Sequence, residues 1–305
     1  MNGNEKAYDK CGSNESESRL IGLGFQRPYR MIASYDISRG EMNDPVFSYK
    51  SSFCHTVSGF KLRNIAPYGD VVLITGGVTS EMVSCDTKEV IWSTDRSPEN
   101  AHSIELLPNG IIAVAGSSGN AVRFFNINGS SPADHLLSLD YNDAHGVLWD
   151  PKYNVLWCAG NNSLFAYEVT LNADGTVTLL KNEALSVVTP DGSLHDLQAY
   201  TGEPDLLIIT TVDHVYCYNK AEKTFTDAYT DVEGAKTRWI RSAGVFANGD
   251  LVYTEHDGGD DNGHGGGWNT TLVHYIDGDS RTLSTVSTTQ GRFYKCRVWS
   301  SSYQP

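Results

Sequence analysis

The sequence predicts an all-β protein, a six-bladed β-propeller with four-stranded blades. Three observations carry the prediction. Helical periodicity is nearly absent, and short alternating or apolar runs are broken by Gly, Asn, Asp and Pro, the pattern of many short strands. One unit then recurs: an opening strand, a tight turn, an apolar strand, a loop and a hairpin. Finally, the last unit is incomplete, and its missing strands stand at the other end of the chain.

Along the chain, "RLIGLGF", "YRMIASYDI" and "PVFSYKS" are three strands without an opening strand. The second unit reads "KLRNIA", "PYGD", "VVLITGG", "EMVSCD", "EVIWSTD", and the third "HSIELL", "PNG", "IIAVAGS", "NAVRFFNI", "HLLSLD". The fourth gives "HGVLW", "DPKYN", "VLWCAG", "SLFAYEVT", "TVTLLKN". The fifth gives "HDLQAY", "TGEPD", "LLIITT", "HVYCYN", "KTFTDAY", and the sixth "RSAGVF", "ANGD", "LVYTEH", "TLVHYI", "TLSTVS". "RFYKCRVW" then supplies a lone opening strand, which completes the blade begun at the N-terminus. Closure of this kind leaves no exposed sheet edge at the seam. Equivalent positions recur 41 to 54 residues apart, the length of a propeller blade. The alternative, a seven-bladed ring, requires a unit that the sequence does not contain.

The chain has 305 residues, 40% hydrophobic and 20% charged, with a formal net charge of −14. That composition is globular, and the acidic balance argues against nucleic-acid binding, which needs a basic footprint. No apolar run is long enough for a spanning helix. Residues 1–19 read as a polar, flexible leader and 20–305 as one propeller domain; a leader of this kind ahead of a β domain points to an exported protein. The expected state is a monomer. Six cysteines occur with no CxxC pair, and they read as free, mostly buried thiols.

Several motifs carry a family resemblance. "NAHSIELLPNG", "AHGVLWDPKYNVLWCAG", "LHDLQ", "IRSAG", Trp268 before the last hairpin and "GRFYKCRVW" resemble a family of bacterial and fungal propeller-like proteins of unknown function, over about residues 20 to 299. The resemblance implies the fold and no activity. More distantly, the architecture is similar to propeller polysaccharide lyases, some of which use channel-mouth histidines; that likeness is one of architecture alone.

The opening strand of a blade borders the central channel. The residues at its start are Lys61, His102, His145, His195, Arg241 and Lys295. All are cationic or titratable to a cation, which predicts a positively charged ring at one mouth of an acidic protein. Such a concave site focuses anions. In "KLRN", Arg63 competes with Lys61 for the inward position, and Arg297 competes with Lys295 in "KCR". The competing reading of each histidine is structural, tying loop to strand, with Asp143 and Asp196 as local carboxylate partners. Three histidines also suggest a divalent metal, which Lys and Arg in the same ring would repel.

The stretch "TEHDGGDDNGHGGGWNTT" is a long loop on the same rim. Asp257, Asp260, Asp261 and Asn262 offer hard oxygen ligands for calcium. Glu255 and His256 stand nearer the ring, and Trp268 offers either a face for a sugar or a cap for the blade core. Two functions follow. The first is an enzyme acting on a uronic-acid glycoside by β-elimination, with Arg241 and Lys295 neutralising the carboxylate, histidines from His102, His145 and His195 as base and acid, and Tyr294 as an alternative acid. The second is a non-catalytic module that binds an acidic glycan, a small acidic ligand or a protein partner through the same ring.

Overall fold

The computed structural model describes residues 19–25, 29–229, 231–235, 239–256 and 268–303. The N-terminal strands are β1 (Leu20–Phe25), β2 (Met31–Asp36) and β3 (Phe47–Lys50), with one 3-10 turn at Ile37–Arg39. The second blade is β4–β7 (Gly59–Ile65, Gly69–Gly76, Thr79–Ser84, Val90–Thr94) and the third β8–β11 (Ala101–Leu106, Ile111–Gly116, Ala121–Asn126, His135–Asp140). The fourth is β12–β15 (Ala144–Asp150, Val155–Gly160, Ser163–Leu171, Val177–Val188). The fifth is β16–β19 (Asp196–Ala199, Leu206–Thr210, Val215–Asn219, Thr224–Asp227) and the sixth β20–β23 (Ile240–Val245, Leu251–Glu255, Leu272–Ile276, Leu283–Ser287). The last strand is β24 (Phe293–Val298).

These strands form six four-stranded antiparallel sheets, a six-bladed propeller. The seam is the predicted one: β24 pairs with β1 in the order β24-β1-β2-β3, with Ile21 opposite Val298 and Leu23 opposite Cys296. No seventh blade is present among the described residues. Turns between the first two strands of a blade use a left-handed residue, among them Gly69, Gly110, Asn154, Gly202 and Gly249, which explains the Gly and Asn found there.

Each blade is sandwiched between two neighbours, so its inner strands are buried on both faces. This is why "IIAVAG" and "VLWCAG" are apolar throughout instead of alternating, and every residue in them is buried. Outer strands such as β11 and β19 alternate toward solvent. The core is correspondingly divided, and each cluster joins two blades. Ala113, Val122 and Phe124 of the third blade pack with Val147, Trp149 and Leu156 of the fourth. None of the five described cysteines forms a disulfide; four are buried and Cys217 is half-buried. No helix among the described residues is long and apolar enough to cross a membrane.

Candidate functional site

Opening strands of successive blades pack against one another around the channel. At one mouth lies a cavity of about 530 Å³ whose wall includes His102, His145, His195, Arg241, Tyr294 and Trp268. Its volume is that of a small-ligand site.

A backbone device repeated from blade to blade aims these side chains. In β8 the ladder pairs Ala101 with Gly116 and Ser103 with Ala115, leaving His102 as an extra residue. In β12 the extra residue is His145, and in β20 it is Arg241. Each is a β-bulge, which re-aims a side chain out of the pleat. A register shift also interrupts β24 between Phe293 and Cys296, where Tyr294 stands. Two residues before four of the site side chains the backbone is left-handed: Asn100 (φ 55°), Asp143 (φ 51°), Ser193 (φ 62°) and Trp239 (φ 63°). Asn and Asp adopt this conformation readily, whereas a tryptophan there is strained. Strain of this kind concentrates at functional sites.

Position along the strand revises the predicted ring. His102, His145, Arg241 and Tyr294 are each the second residue of their strand, and His195 immediately precedes Asp196. Lys61 and Lys295 are third residues, aligned with Ser103, Ser242 and Asp196, so they lie one layer inside the channel. Lys61 Nζ donates to Glu105 Oε2 at 2.9 Å and to the Val147 carbonyl. Arg63 grips Glu105 with Nε and Nη2, both at 2.7 Å. Lys295 Nζ donates to Asp196 Oδ1 at 3.0 Å and to the His195 carbonyl at 3.1 Å, and Arg297 Nη2 to Asp196 Oδ1 at 2.6 Å. These six residues are at most 5% exposed, and none lines the cavity. Lys61, Arg63 and Lys295 are therefore the channel's internal ion pairs and not its mouth. Lys61 is pushed down to about 7 and Lys295 to about 8, burial outweighing the pull of Glu105 and Asp196. The second blade contributes no ring cation: β4 has no bulge, and Thr56 and Ser58 line the cavity there. Gly59 is required at that join, because a side chain would run into the His102 carbonyl.

The ring is consequently less charged than its composition suggests. His102 and His195 are held well below their ordinary 6.5, chiefly by burial and then by neighbouring His145 and Arg241 respectively. His145 is also lowered by burial, with Asp143 opposing. The three imidazoles are neutral near pH 7, and Arg241 carries the charge. Its residue is 2% exposed, and its Nε and Nη2 have no hydrogen-bond partner among the described residues. The Trp268 ring lies 4.6 Å from Arg241 Cζ and the Trp239 ring 5.8 Å.

Tautomers follow from partners that can only accept. His195 Nδ1 lies 3.0 Å from the Arg241 carbonyl, so Nδ1 carries the proton and Nε2 accepts the Tyr294 hydroxyl at 2.9 Å. His145 Nδ1 donates to the Asp143 carbonyl at 2.9 Å, with the Asp143 carboxylate at 3.3 Å. Its Nε2 is left as a lone pair. His102 stacks on His145 at 4.6 Å. Asp196, the predicted local partner of His195, binds Lys295 and Arg297 instead. Burial pushes the Tyr294 hydroxyl well above its ordinary value.

Glu255 and His256 do not line the cavity. Glu255 Oε1 stands 3.3 Å from His274 Nε2, and the His256 ring packs on Trp239 at 5.2 Å. Trp268 is 58% exposed at the cavity rim. The calcium-ligand reading of Asp257, Asp260, Asp261 and Asn262 lies outside the described residues. Among the described residues no group of three or more His, Cys, Asp or Glu is placed to hold a metal ion. Among the wall residues that sequence reasoning passed over, which include Thr56, Ser58 and Val212, is Trp239. It stands two positions before Arg241, the offset held by Asn100 and Asp143, and that spacing was the available signal.

No protein-family model matches the chain, and no curated protein matches it. Among solved structures it is similar to the crystal structure of a protein of unknown function from Bacteroides caccae. The TM-score is 0.59 at 14% identity, covering 92% of this chain and 98% of that one. At that identity the likeness establishes the fold. It agrees with the resemblance to propeller-like proteins of unknown function and lends nothing to the likeness to polysaccharide lyases.

Proposed function

We propose that the channel mouth binds a uronic-acid-containing carbohydrate and cleaves it by β-elimination. One observation carries the reading: Arg241 is a buried guanidinium with unpaired donors in a cavity whose other described lining residues are neutral imidazoles, aromatic rings, uncharged side chains and one carboxylate, Asp143. A buried, unpaired cation is costly, and a carboxylate ligand both satisfies its donors and neutralises it.

The remaining groups fit the proton transfers. With the uronate carboxylate on Arg241, the hydrogen on the adjacent carbon is acidified. His145 Nε2 removes it as general base, and the imidazolium so formed is stabilised by Asp143. The electron pair forms the ring C=C bond as the C–O bond to the leaving sugar breaks. Tyr294, positioned by His195, gives its proton to the leaving oxygen, and Arg241 stabilises the tyrosinate until solvent exchange returns both groups to their starting states. Atoms balance: one proton moves from carbon to oxygen, leaving an unsaturated uronate and a free hydroxyl.

The test is incubation with uronic-acid polymers while following the near-ultraviolet absorbance of unsaturated uronates. Absorbance should rise with the native protein and fail to rise with His145→Ala. Activity that survives alanine at His102, His145 and His195 together contradicts the mechanism. A second reading, a non-catalytic module for an acidic ligand, is favoured by the closed Tyr294–His195 hydrogen bond, which occupies the acid. Salt-sensitive binding without an absorbance change would select it.

A further inference from the structure

We propose that this site takes one monoanionic sugar residue end-on, as the terminus of a chain, and does not accommodate an internal stretch of polymer. The inference rests on the carbohydrate reading above.

Two features of the channel point to it. The first is that the cavity is blind. Directly beneath the wall, Lys295 Nζ is bonded to the carbonyls of His195 and His102, the second contact being longer at 3.4 Å. Under that lie the Asp196 and Glu105 ion pairs, with every charged residue in them at most 5% exposed. The far mouth is closed as well. Asn64 N donates to the Ser301 carbonyl at 3.1 Å, the Tyr303 hydroxyl to the Leu106 carbonyl, and the Arg63 guanidinium lies 5.0 Å from the Tyr303 ring. The cavity there, partly lined by Arg63 and Tyr303, is about 40 Å³, room for a few water molecules. A ligand can enter from one side and must stop at the floor.

The second feature is the charge count. Lys61, Arg63, Lys295 and Arg297 each lie within 3.0 Å of the Glu105 or Asp196 carboxylate. Arg241 is the cation of the cavity wall with unpaired donors, and it can neutralise one carboxylate. A polyuronate laid across the mouth would bring several anions toward a protein of net charge −14 with one guanidinium among the described wall residues to receive them. A terminal residue brings one, while Trp268 at the rim offers an apolar face to the sugar behind it.

The experiment is calorimetric titration of the full chain with the hexuronic acids glucuronate, galacturonate, mannuronate and guluronate, and with oligomers and long polymers of whichever binds. The expected result is an affinity per chain that stays within about a factor of two from trimer to polymer, since each chain has one such end. The monosaccharide should compete for the same site and lose its binding in Arg241→Met. Affinity per chain that climbs in proportion to length means internal residues bind, and overturns this inference while leaving the carbohydrate reading intact. No binding by any member overturns both.

Discussion

The mouth and the interior of one channel use the same residue types to opposite ends. Inside, Lys61, Arg63, Lys295 and Arg297 are buried beside Glu105 and Asp196, with carboxylate contacts of 2.6 to 3.0 Å. At the mouth, Arg241 is equally buried, and no carboxylate among the described residues pairs with it; unpaired donors alone do not set it apart, since Arg297 Nε and Nη1 are unpaired too. Burial alone therefore does not distinguish these two sets of cations; the presence of a carboxylate does. The inner layers hold blades together, because Glu105 of the third blade receives Lys61 and Arg63 of the second, and Asp196 of the fifth receives Lys295 and Arg297 of the seam blade. The outer layer is left incomplete in a way that a ligand can complete.

The largest effect expected from this contrast is on stability. Glu105→Gln strands two buried cations and should cost about 3–5 kcal/mol, the usual penalty for removing one partner of a buried pair. Arg241→Met removes a cation with no such partner and should leave stability unchanged or raise it. Denaturant unfolding of the two variants measures both. Equal destabilisation would erase the distinction between mouth and interior.

The acid side of the stability profile gives the next effect. His102 and His195 have folded values depressed below 6.5, so the unfolded chain binds their protons first. Their contribution is complete above pH 6.5 and is lost as pH falls from there toward the folded values. His102→Gln should flatten that loss. Glu81, fully buried in the second blade, has the opposite sign. Burial pushes its carboxyl above 4.5, with Ser51 opposing, so its contribution is complete below pH 4.5 and lost as pH rises through the folded value. Glu81→Gln should therefore stabilise the protein at neutral pH and leave acid stability unchanged. Unfolding midpoints measured across pH separate the two slopes.

The smallest effect concerns the bends that aim the mouth. Asn100 is left-handed and its Nδ2 donates to Ser117 Oγ at 2.8 Å. Asn100→Ala should cost about 1 kcal/mol, from φ strain and the lost bond. Asn100→Gly should cost less, because glycine accepts the positive φ. A reversed order would show that the bend does not require that conformation.

Most of the fold was legible in the sequence because blade turns declare themselves. "PNG", "ANGD" and "PYGD" mark left-handed turns, and "RFYKCRVW" without a following hairpin marks the closing strand. The mouth was half legible. "NAH" and "DAH" pair a residue that tolerates positive φ with a histidine two positions on, and both histidines reach the cavity. The bulges were not legible, since an extra residue in one strand leaves no compositional trace. Without them, "RFYKCR" aligned Lys295 with the ring, when strand position gives that place to Tyr294. Neutral histidines were equally hidden, because their depression depends on burial and on Lys295 and Arg241, brought close only by the closed ring.

On the proposed function, Arg241 is the anion-binding cation of this channel. The most direct test is calorimetric titration of native protein and Arg241→Met with a hexuronate at low and at physiological salt. Binding to the native protein should weaken with salt, and the variant, unfolding no more easily, should not bind. Equal binding by both proteins would contradict it.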